Sequence, residues 1–157
     1  MRVVRGEPVG AGRRVAVIAA RFNETVTSAL VDGCLDGLAH HGVSSDDIVV
    51  IWVPGAFEIP VVAAKLAASG SHDAILCLGA VIRGDTAHFE LVANEAARGI
   101  AEVSRTSGVP VIFEVLATDD LAQAQARAGG THGNKGWEAA VAGLETVSVL
   151  RQLEDPR

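Results

Sequence analysis

Residues 74–90 read AILCLGAVIRGDTAHFE, and this stretch joins an apolar run, typical of a strand, to a glycine turn and the start of a helix. Backbone N–H groups in the first turn of a helix lack partners within the helix and carry the positive end of its dipole. Gly84, Asp85 and Thr86 are therefore candidates to hold a phosphate, and His88 follows closely enough to move a proton beside it. The same tripeptide also serves in many proteins as an ordinary turn and helix cap.

Three further runs rich in Val and Ile lie on either side of this stretch, near residues 14–20, 48–53 and 109–116. Like residues 74–82, they do not alternate with polar residues, which is typical of strands buried on both faces of a parallel sheet. Segments with helical spacing lie between the runs, so the order β-α-β-α-β-α-β-α predicts an open α/β sheet. The chain has no internal repeat or linker, which predicts one domain over residues 1–157.

The C-terminal part contains a glycine-rich segment, residues 129–133, between two stretches with helical spacing. Glycines interrupt helices, so the sequence predicts two helices there rather than one. Arg127 and Lys135 flank the segment, and most basic residues in such places are only solvated.

The composition bears on the partners and on the compartment. A net charge of -6 provides no basic face for a nucleic acid or an anionic membrane. Cys34 and Cys77 lie far apart in apolar stretches, which favours free buried thiols. The first residues lack the apolar core of a signal peptide, and no run reaches membrane-spanning length, so we expect a cytoplasmic protein that binds a small metabolite. The hydrophobic fraction of 49% predicts contacts with other subunits.

Ligands of open α/β sheets bind beyond the carboxyl ends of the strands, where the strand order reverses. Phe22 follows the first run and offers a flat face for a heterocycle. After the second run, Gly55 and Ala56 bring the backbone close to a ligand and lead into a helical turn with Phe57 and Glu58. The two phenylalanines also fit a packing role, and Glu58 also fits an ordinary charge at a helix N-terminus.

Four motifs in this order and spacing together resemble the lumazine synthase family: residues 21–23 (RFN), 53–60 (VPGAFEIP), 78–90 and 127–136 (RAGGTHGNKG). The resemblance covers nearly the whole chain, from about Val15 to Leu150. It implies a flavodoxin-like three-layer sandwich with a central, mainly parallel four-stranded sheet. It also implies an N-terminal strand, around Val3 and Val4, that pairs with a neighbouring subunit.

The reaction implied by the resemblance is a transferase step of riboflavin biosynthesis. In this step 5-amino-6-(D-ribitylamino)uracil condenses with 3,4-dihydroxy-2-butanone 4-phosphate to give 6,7-dimethyl-8-ribityllumazine, phosphate and water. No cofactor and no metal are implied. The resemblance further implies a homo-oligomer, a pentamer at least, with a sixty-subunit icosahedral shell favoured and riboflavin synthase as a further partner.

Residue roles follow from the same resemblance. His88 is expected to move protons, and the phosphate ligands are expected to be Gly84, Asp85, Thr86 and Arg127. The residues expected to bind the pyrimidine substrate are Phe22, Ala56, Phe57, Glu58, Val81, Ile82, Phe113, Lys135 and Glu138. Among these, Phe22 stacks on the ring, and Val81 and Ile82 present their backbone to it. Family members place Phe113, Arg127 and Lys135 in the pocket of a neighbouring subunit, so the site is expected at a subunit interface.

Three positions depart from the usual family pattern, which has Tyr at Leu91, Gly at Glu114 and Thr at Ala117. Side chains alternate along a strand, so Phe113 and Glu114 are expected on opposite faces. A buried carboxylate needs water or a cation. Glu114 is therefore expected to meet solvent or a basic group near a subunit boundary and to take no part in catalysis.

Two other classes of function compete with this interpretation. A flavodoxin-like module that binds a flavin phosphate would use the hydroxyls of Thr25, Thr27 and Ser28, although the chain has no Tyr to sandwich the flavin ring. A cage-forming protein that has lost its chemistry would not need His88, Arg127 and Lys135 together. The colour of the purified protein and a direct assay distinguish these alternatives.

Overall fold

A computed structural model of the chain describes residues 1–155, which form a central sheet with helices on both faces. The strands are β1 Val15–Ala20, β2 Ile48–Val53, β3 Ala74–Ile82, β4 Val111–Thr118, β5 Ala128–Gly130 and β6 Gly133–Asn134. The helices are α1 Glu24–His40, α2 Ile59–Ser69, α3 His88–Ser107, α4 Leu121–Arg127 and α5 Lys135–Glu154. Each of the four apolar runs in the sequence is therefore a strand, as predicted.

The main sheet is parallel, with the strand order β2-β1-β3-β4. Strand β1 is buried along its whole length, and so is β3 apart from its last two residues. The prediction of strands buried on both faces is wrong for β2 and β4, where Val49, Trp52 and Phe113 are exposed in the single chain. The reason is their place at the two edges of the sheet, where the helix layers cover less of each strand.

Two hydrophobic cores lie on the two faces of the sheet, because successive strand residues point to opposite sides. From β1, Val15 and Val17 enter the core that contains buried residues of α1, α4 and α5. Ala16 and Ile18 enter the core that contains buried residues of α2 and α3. These layers confirm the predicted flavodoxin-like three-layer sandwich.

Helices α1 and α5 lie unusually close together, and glycine permits their contact. A Cβ atom at Gly136 would overlap the carbonyl oxygen of Leu30, and one at Gly33 would overlap the side chain of Asn134. Asn134 fastens the two helices, since its Oδ1 accepts from the N–H of Gly136 at 2.8 Å and its Nδ2 donates to the carbonyl of Ala29 at 2.9 Å. The asparagine is thus both the N-cap of α5 and a link to α1.

The glycine-rich segment does separate two helices, as predicted, and it does so as a small antiparallel ribbon of β5 and β6. The positive φ angles of Gly129 and Gly133, 97° and 73°, are the reason that glycine is needed there. This ribbon was not anticipated from the sequence.

Residues 1–10 form no strand within this chain, and residues 2–7 lie against α5 instead. The backbone N–H of Glu7 donates to Ser148 Oγ at 3.2 Å, and Gln152 Nε2 donates to the carbonyl of Arg5 at 2.7 Å. Pairing of Val3 and Val4 with a neighbouring sheet stays a prediction. Among residues 1–155, none of the helices combines the length and the apolar character needed to cross a bilayer.

Candidate active site

A cleft of about 770 Å³ lies where the carboxyl ends of β1, β2 and β3 meet. The strand order reverses between β1 and β3, so this is the place where an open α/β sheet binds ligands. The predicted residues that line the cleft are Phe22, Ala56, Phe57, Glu58, Val81, Ile82, Gly84, Thr86 and His88. Most of these side chains are apolar, and the polar groups are few, which is the usual composition of a small-molecule site.

Phe22 stands at the mouth of the cleft with 73% of its surface exposed. Its backbone is fixed, because the N–H groups of Arg21 and Phe22 donate to the carbonyls of Val53 and Pro54 at 2.8 and 3.0 Å. Asn23 follows in the left-handed conformation, with φ 61°, and its Nδ2 donates to the carbonyl of Ala80 at 2.9 Å. The aromatic face is therefore held in place and left free for a ring to stack on it.

The segment after β2 turns sharply into α2 through Gly55 and a single 3-10 turn over Ala56–Glu58. Ala56 is buried, whereas Phe57 is 57% exposed. A Cβ atom at Gly55 would lie 3.2 Å from Glu58 Oε2, so glycine leaves room for this carboxylate beside the backbone. The turn thus presents an aromatic ring and a hydrogen-bond acceptor to the cleft.

Helix α3 begins at His88, so the histidine lies in its first turn as predicted. The preceding residues 84–87 are exposed, and no side chain caps the helix among the residues described. Thr86 Oγ1 accepts from the His88 N–H at 3.4 Å, which is a weak contact. Asp85 belongs to this loop but does not line the cleft. Gly84, Asp85 and Thr86 thus lie in the exposed loop before α3, and the first-turn N–H groups are those of His88 to Glu90. A helix N-terminus with a histidine in its first turn suits an anion that exchanges protons.

Arg83 directly follows β3 and begins the loop that leads to α3. Its side chain contacts three residues outside this loop. Its Nη1 binds Glu90 Oε1 at 2.6 Å and its Nε binds Asp119 Oδ1 at 3.0 Å. Its guanidinium carbon lies 4.5 Å from the ring centroid of Phe89. The hydrogen bonds that Arg83 donates to Asp119 and Glu90 raise the pKa of its guanidinium. The pKa of Glu90 is lowered by its own backbone N–H and by Arg83, both of which donate to its carboxylate.

The remaining predicted residues do not line this cleft in the part of the chain that the structure describes. Phe113 lies on edge strand β4 and is 42% exposed, while Arg127 is the last residue of α4. Lys135 begins α5, and its Nζ binds Glu138 Oε2 at 2.6 Å. Arg127 Nη1 donates to the carbonyl of Gln123 at 3.0 Å. That these side chains complete the cleft of a neighbouring copy stays a prediction.

Glu114 is half-buried on the face of β4 opposite Phe113. Its neighbour Leu116 enters the core with α5, whereas Val115 enters the core with α3. Burial raises the pKa of Glu114 to about 7, Lys135 lowers it and Glu138 raises it. The expected opposition of Phe113 and Glu114 is confirmed by the two cores that their neighbours enter. Lys135 is the basic group whose charge acts on the carboxylate, although its ammonium is paired with Glu138.

Sequence reasoning missed several residues that line the cleft, among them Asn23, Phe89, Leu91 and Val92. An asparagine directly after an apolar run was a signal in the sequence that could have identified Asn23. Asparagine adopts the left-handed conformation of a tight turn more readily than most residues. Phe89 and Val92 gave no such signal, since both read as the apolar face of a helix. A smaller cavity of about 470 Å³ lies near the amino ends of β3 and β4 and contains none of the predicted residues.

Neither cysteine is exposed. Both Cys34 and Cys77 are free and buried, as predicted, and burial raises the pKa of Cys34 to about 12. A thiol with so high a pKa is a poor nucleophile and a poor metal ligand. Within residues 1–155, the structure contains no cluster of His, Cys, Asp and Glu suited to a metal ion.

The fold and the cleft define a ligand-binding protein of the flavodoxin-like α/β class, with aromatic faces and an open helix N-terminus at the switch point of the sheet. The sequence model of the 6,7-dimethyl-8-ribityllumazine synthase family matches residues 12–151. The chain belongs to this family, whose enzymes serve riboflavin biosynthesis.

Proposed function

We propose that this protein condenses 5-amino-6-(D-ribitylamino)uracil with 3,4-dihydroxy-2-butanone 4-phosphate to form 6,7-dimethyl-8-ribityllumazine. The observation that carries the proposal is that one cleft joins a free aromatic face at Phe22, an open helix N-terminus and His88. A protein that condenses a planar heterocycle with a short phosphorylated ketone needs these three features within reach of one another.

The chemistry requires two new C–N bonds and the loss of phosphate. The 5-amino group adds to the ketone, and water leaves to form an imine. A proton is then removed from the hydroxyl-bearing carbon next to the imine, and the phosphate leaves from the adjacent carbon with the electron pair of its C–O bond, which gives an enol. The enol takes up a proton at its terminal carbon and becomes a methyl ketone. The ribityl-bearing nitrogen attacks this ketone to close the ring, and a second water leaves. Amines and ketones condense readily, so orientation and proton transfer account for most of the acceleration.

The pyrimidine ring is expected to stack on Phe22, with Ala56, Phe57 and Glu58 against the ribityl chain and the ring edge. Val81 and Ile82, at the end of β3, present backbone groups to the ring edge. His88, at the start of α3, is the group that moves protons between the reacting atoms and the leaving phosphate.

The phosphate is expected to bind the free N–H groups of Gly84, Asp85 and Thr86. The nearest cation in sequence, Arg83, is engaged by two carboxylates. A doubly charged phosphate therefore benefits from a further cation, for which we propose Arg127 of a neighbouring copy, with Phe113, Lys135 and Glu138 completing the same wall. The active protein is accordingly proposed to be a homo-oligomer, either a pentamer or a sixty-subunit shell, with riboflavin synthase as a further partner and the cytoplasm as its compartment.

The test is to incubate the purified protein with both substrates and a metal chelator while following the near-ultraviolet absorbance and green fluorescence of the product. We expect a rate well above the spontaneous condensation. A folded sample that gives only the spontaneous rate would favour a cage without chemistry. Stoichiometric bound FMN in the purified protein would favour the flavin-binding alternative.

A further inference from the structure

The first turn of α3 carries His88, its preceding loop is exposed, and no side chain at the N-cap position caps the helix in the described part of the chain. Arg83 supplies contacts that reach this turn from the sheet. It is the first residue after β3, and its own N–H donates to the carbonyl of Thr118 at 2.9 Å.

The three side-chain contacts of Arg83, which follows β3, reach two further elements. Glu90 and Phe89 both lie in the first turn of α3, and Asp119 directly follows β4. Phe89 also lines the cleft. A guanidinium is planar and has five donors, so it can bind two carboxylates and lie against an aromatic ring at once. A lysine ammonium in the same place has no plane to lie on the ring and is a single point charge.

We propose that Arg83 is a positioning residue that ties the first turn of α3 to the ends of β3 and β4 and thereby fixes His88 and Phe89 in the cleft. The inference rests on the proposed function for its kinetic consequences only. Its structural content, that α3 begins where it does because Arg83 holds it, is independent of the substrate.

The competing explanation is that Arg83 binds the phosphate directly. The two explanations make opposite predictions for the carboxylates. If Arg83 acts by positioning, Glu90→Gln and Asp119→Asn weaken the same tie and lower kcat. If Arg83 is a phosphate ligand, the same variants release the guanidinium and leave kcat unchanged or increase substrate affinity.

The kinetic experiment compares Arg83→Gln, Arg83→Lys, Glu90→Gln and Asp119→Asn with the unaltered protein. For Arg83→Gln we expect kcat to fall by roughly tenfold to a hundredfold, the cost of a small misplacement of reacting groups, with KM for the phosphorylated substrate within about threefold. The kcat of Arg83→Lys should lie between the kcat of Arg83→Gln and that of the unaltered protein. Adding Glu90→Gln to Arg83→Gln should cost no more than about a further twofold, because both changes break the same contact.

The matched control is Arg98→Gln, which removes an exposed ion pair with Glu95 on the same helix, away from the cleft. This variant should keep kcat and both KM values. A kcat at the unaltered level in Glu90→Gln and Asp119→Asn, together with a raised KM for the phosphorylated substrate in Arg83→Gln, would overturn the proposal in favour of phosphate binding.

Amide hydrogen exchange gives a readout that does not depend on activity. In Arg83→Gln, exchange at residues 91–94, whose N–H groups donate to the carbonyls of the first turn of α3, should accelerate by about threefold to tenfold. This factor corresponds to losing two exposed ion pairs and a cation–π contact. Exchange in α5 should not change. Equal exchange at residues 91–94 in both proteins would refute the positioning role even if the reaction proved to be different from the one proposed.

Discussion

Glu114 is a side chain whose burial makes the stability of the fold depend on pH. Its carboxylate is half-buried in the layer beside α5, where burial outweighs the attraction of Lys135 and raises its pKa from 4.5 to about 7. A carboxyl whose pKa is raised on folding binds its proton more tightly in the folded state. The fold therefore loses stability as the pH rises between these two values.

Glu114→Gln should remove this loss, because glutamine has the same shape and no charge. Below about pH 4.5 the variant and the unaltered protein should be equally stable, whereas above about pH 7 the variant should be more stable by roughly 1–2 kcal/mol, a value reduced for solvent screening. Denaturant unfolding at several pH values, with the assembly state checked at each, measures the difference. The exposed Glu102→Gln is the control, and a stability gain that does not vary with pH would contradict the explanation.

Substitutions at His88 and Arg127 should affect different kinetic parameters, because His88 is expected to transfer protons and Arg127 is expected to bind the phosphate. His88→Ala should lower kcat by about tenfold to a thousandfold, the range of general acid-base catalysis. Arg127→Ala should raise KM for the phosphorylated substrate far more than KM for the pyrimidine. Steady-state kinetics with each substrate varied in turn measures both, and equal effects of Arg127→Ala on the two KM values would remove its phosphate role.

At the scale of elements, the contact between α1 and α5 fixes where the C-terminal third of the chain lies. The backbones of the two helices approach closely at Gly136 and Leu30, and Asn134 holds them there. A methyl group at Gly136 has no space, because the atom that it would meet is backbone. Gly143, on the same helix, would meet only the Cδ2 atom of Leu76 at 2.7 Å, and a side chain can move.

Gly136→Ala should therefore destabilise the fold by about 1–3 kcal/mol, the usual cost of overpacking. Gly143→Ala should change stability by less than about 1 kcal/mol, since the better helix propensity of alanine offsets a small shift of Leu76. Thermal or denaturant unfolding of the two variants gives the comparison. Equal destabilisation by both would mean that the close approach of the helices is not the cause.

Strands β1 to β4 and the helices between them were predictable, because apolar runs without alternation and helical spacing depend only on local sequence. The ribbon of β5 and β6 and the exposure of β2 and β4 were not, since pairing and edge position depend on the folded chain. The loop of Gly84 to Thr86, and His88 in the first turn of the helix after it, were visible in the sequence. The role of Arg83 was not, because Asp119 lies 36 positions away and meets it only in the folded chain.

At the scale of the whole molecule, the predicted site residues fall into two groups that one chain does not bring together. The group around Phe22 and His88 lines the cleft, and the group of Phe113, Arg127, Lys135 and Glu138 lies elsewhere. Exposed apolar side chains such as Trp52, Val61 and Leu91 add to a surface suited to contacts between copies. Both facts have one physical explanation if each complete site is built from two copies.

This explanation predicts complementation between two defective variants. When His88→Ala and Arg127→Ala chains assemble together in equal amounts, about a quarter of the shared sites should combine an intact His88 with an intact Arg127 from the other chain. Activity at low concentrations of the phosphorylated substrate should then exceed the mean of the two variants. Co-expressed chains with different tags supply the mixed assembly, and separately purified variants mixed without exchange are the control. Activity equal to that mean in a verified mixed assembly would show that one chain holds the complete site. The same conclusion would follow if a sample that light scattering shows to be monomeric were fully active.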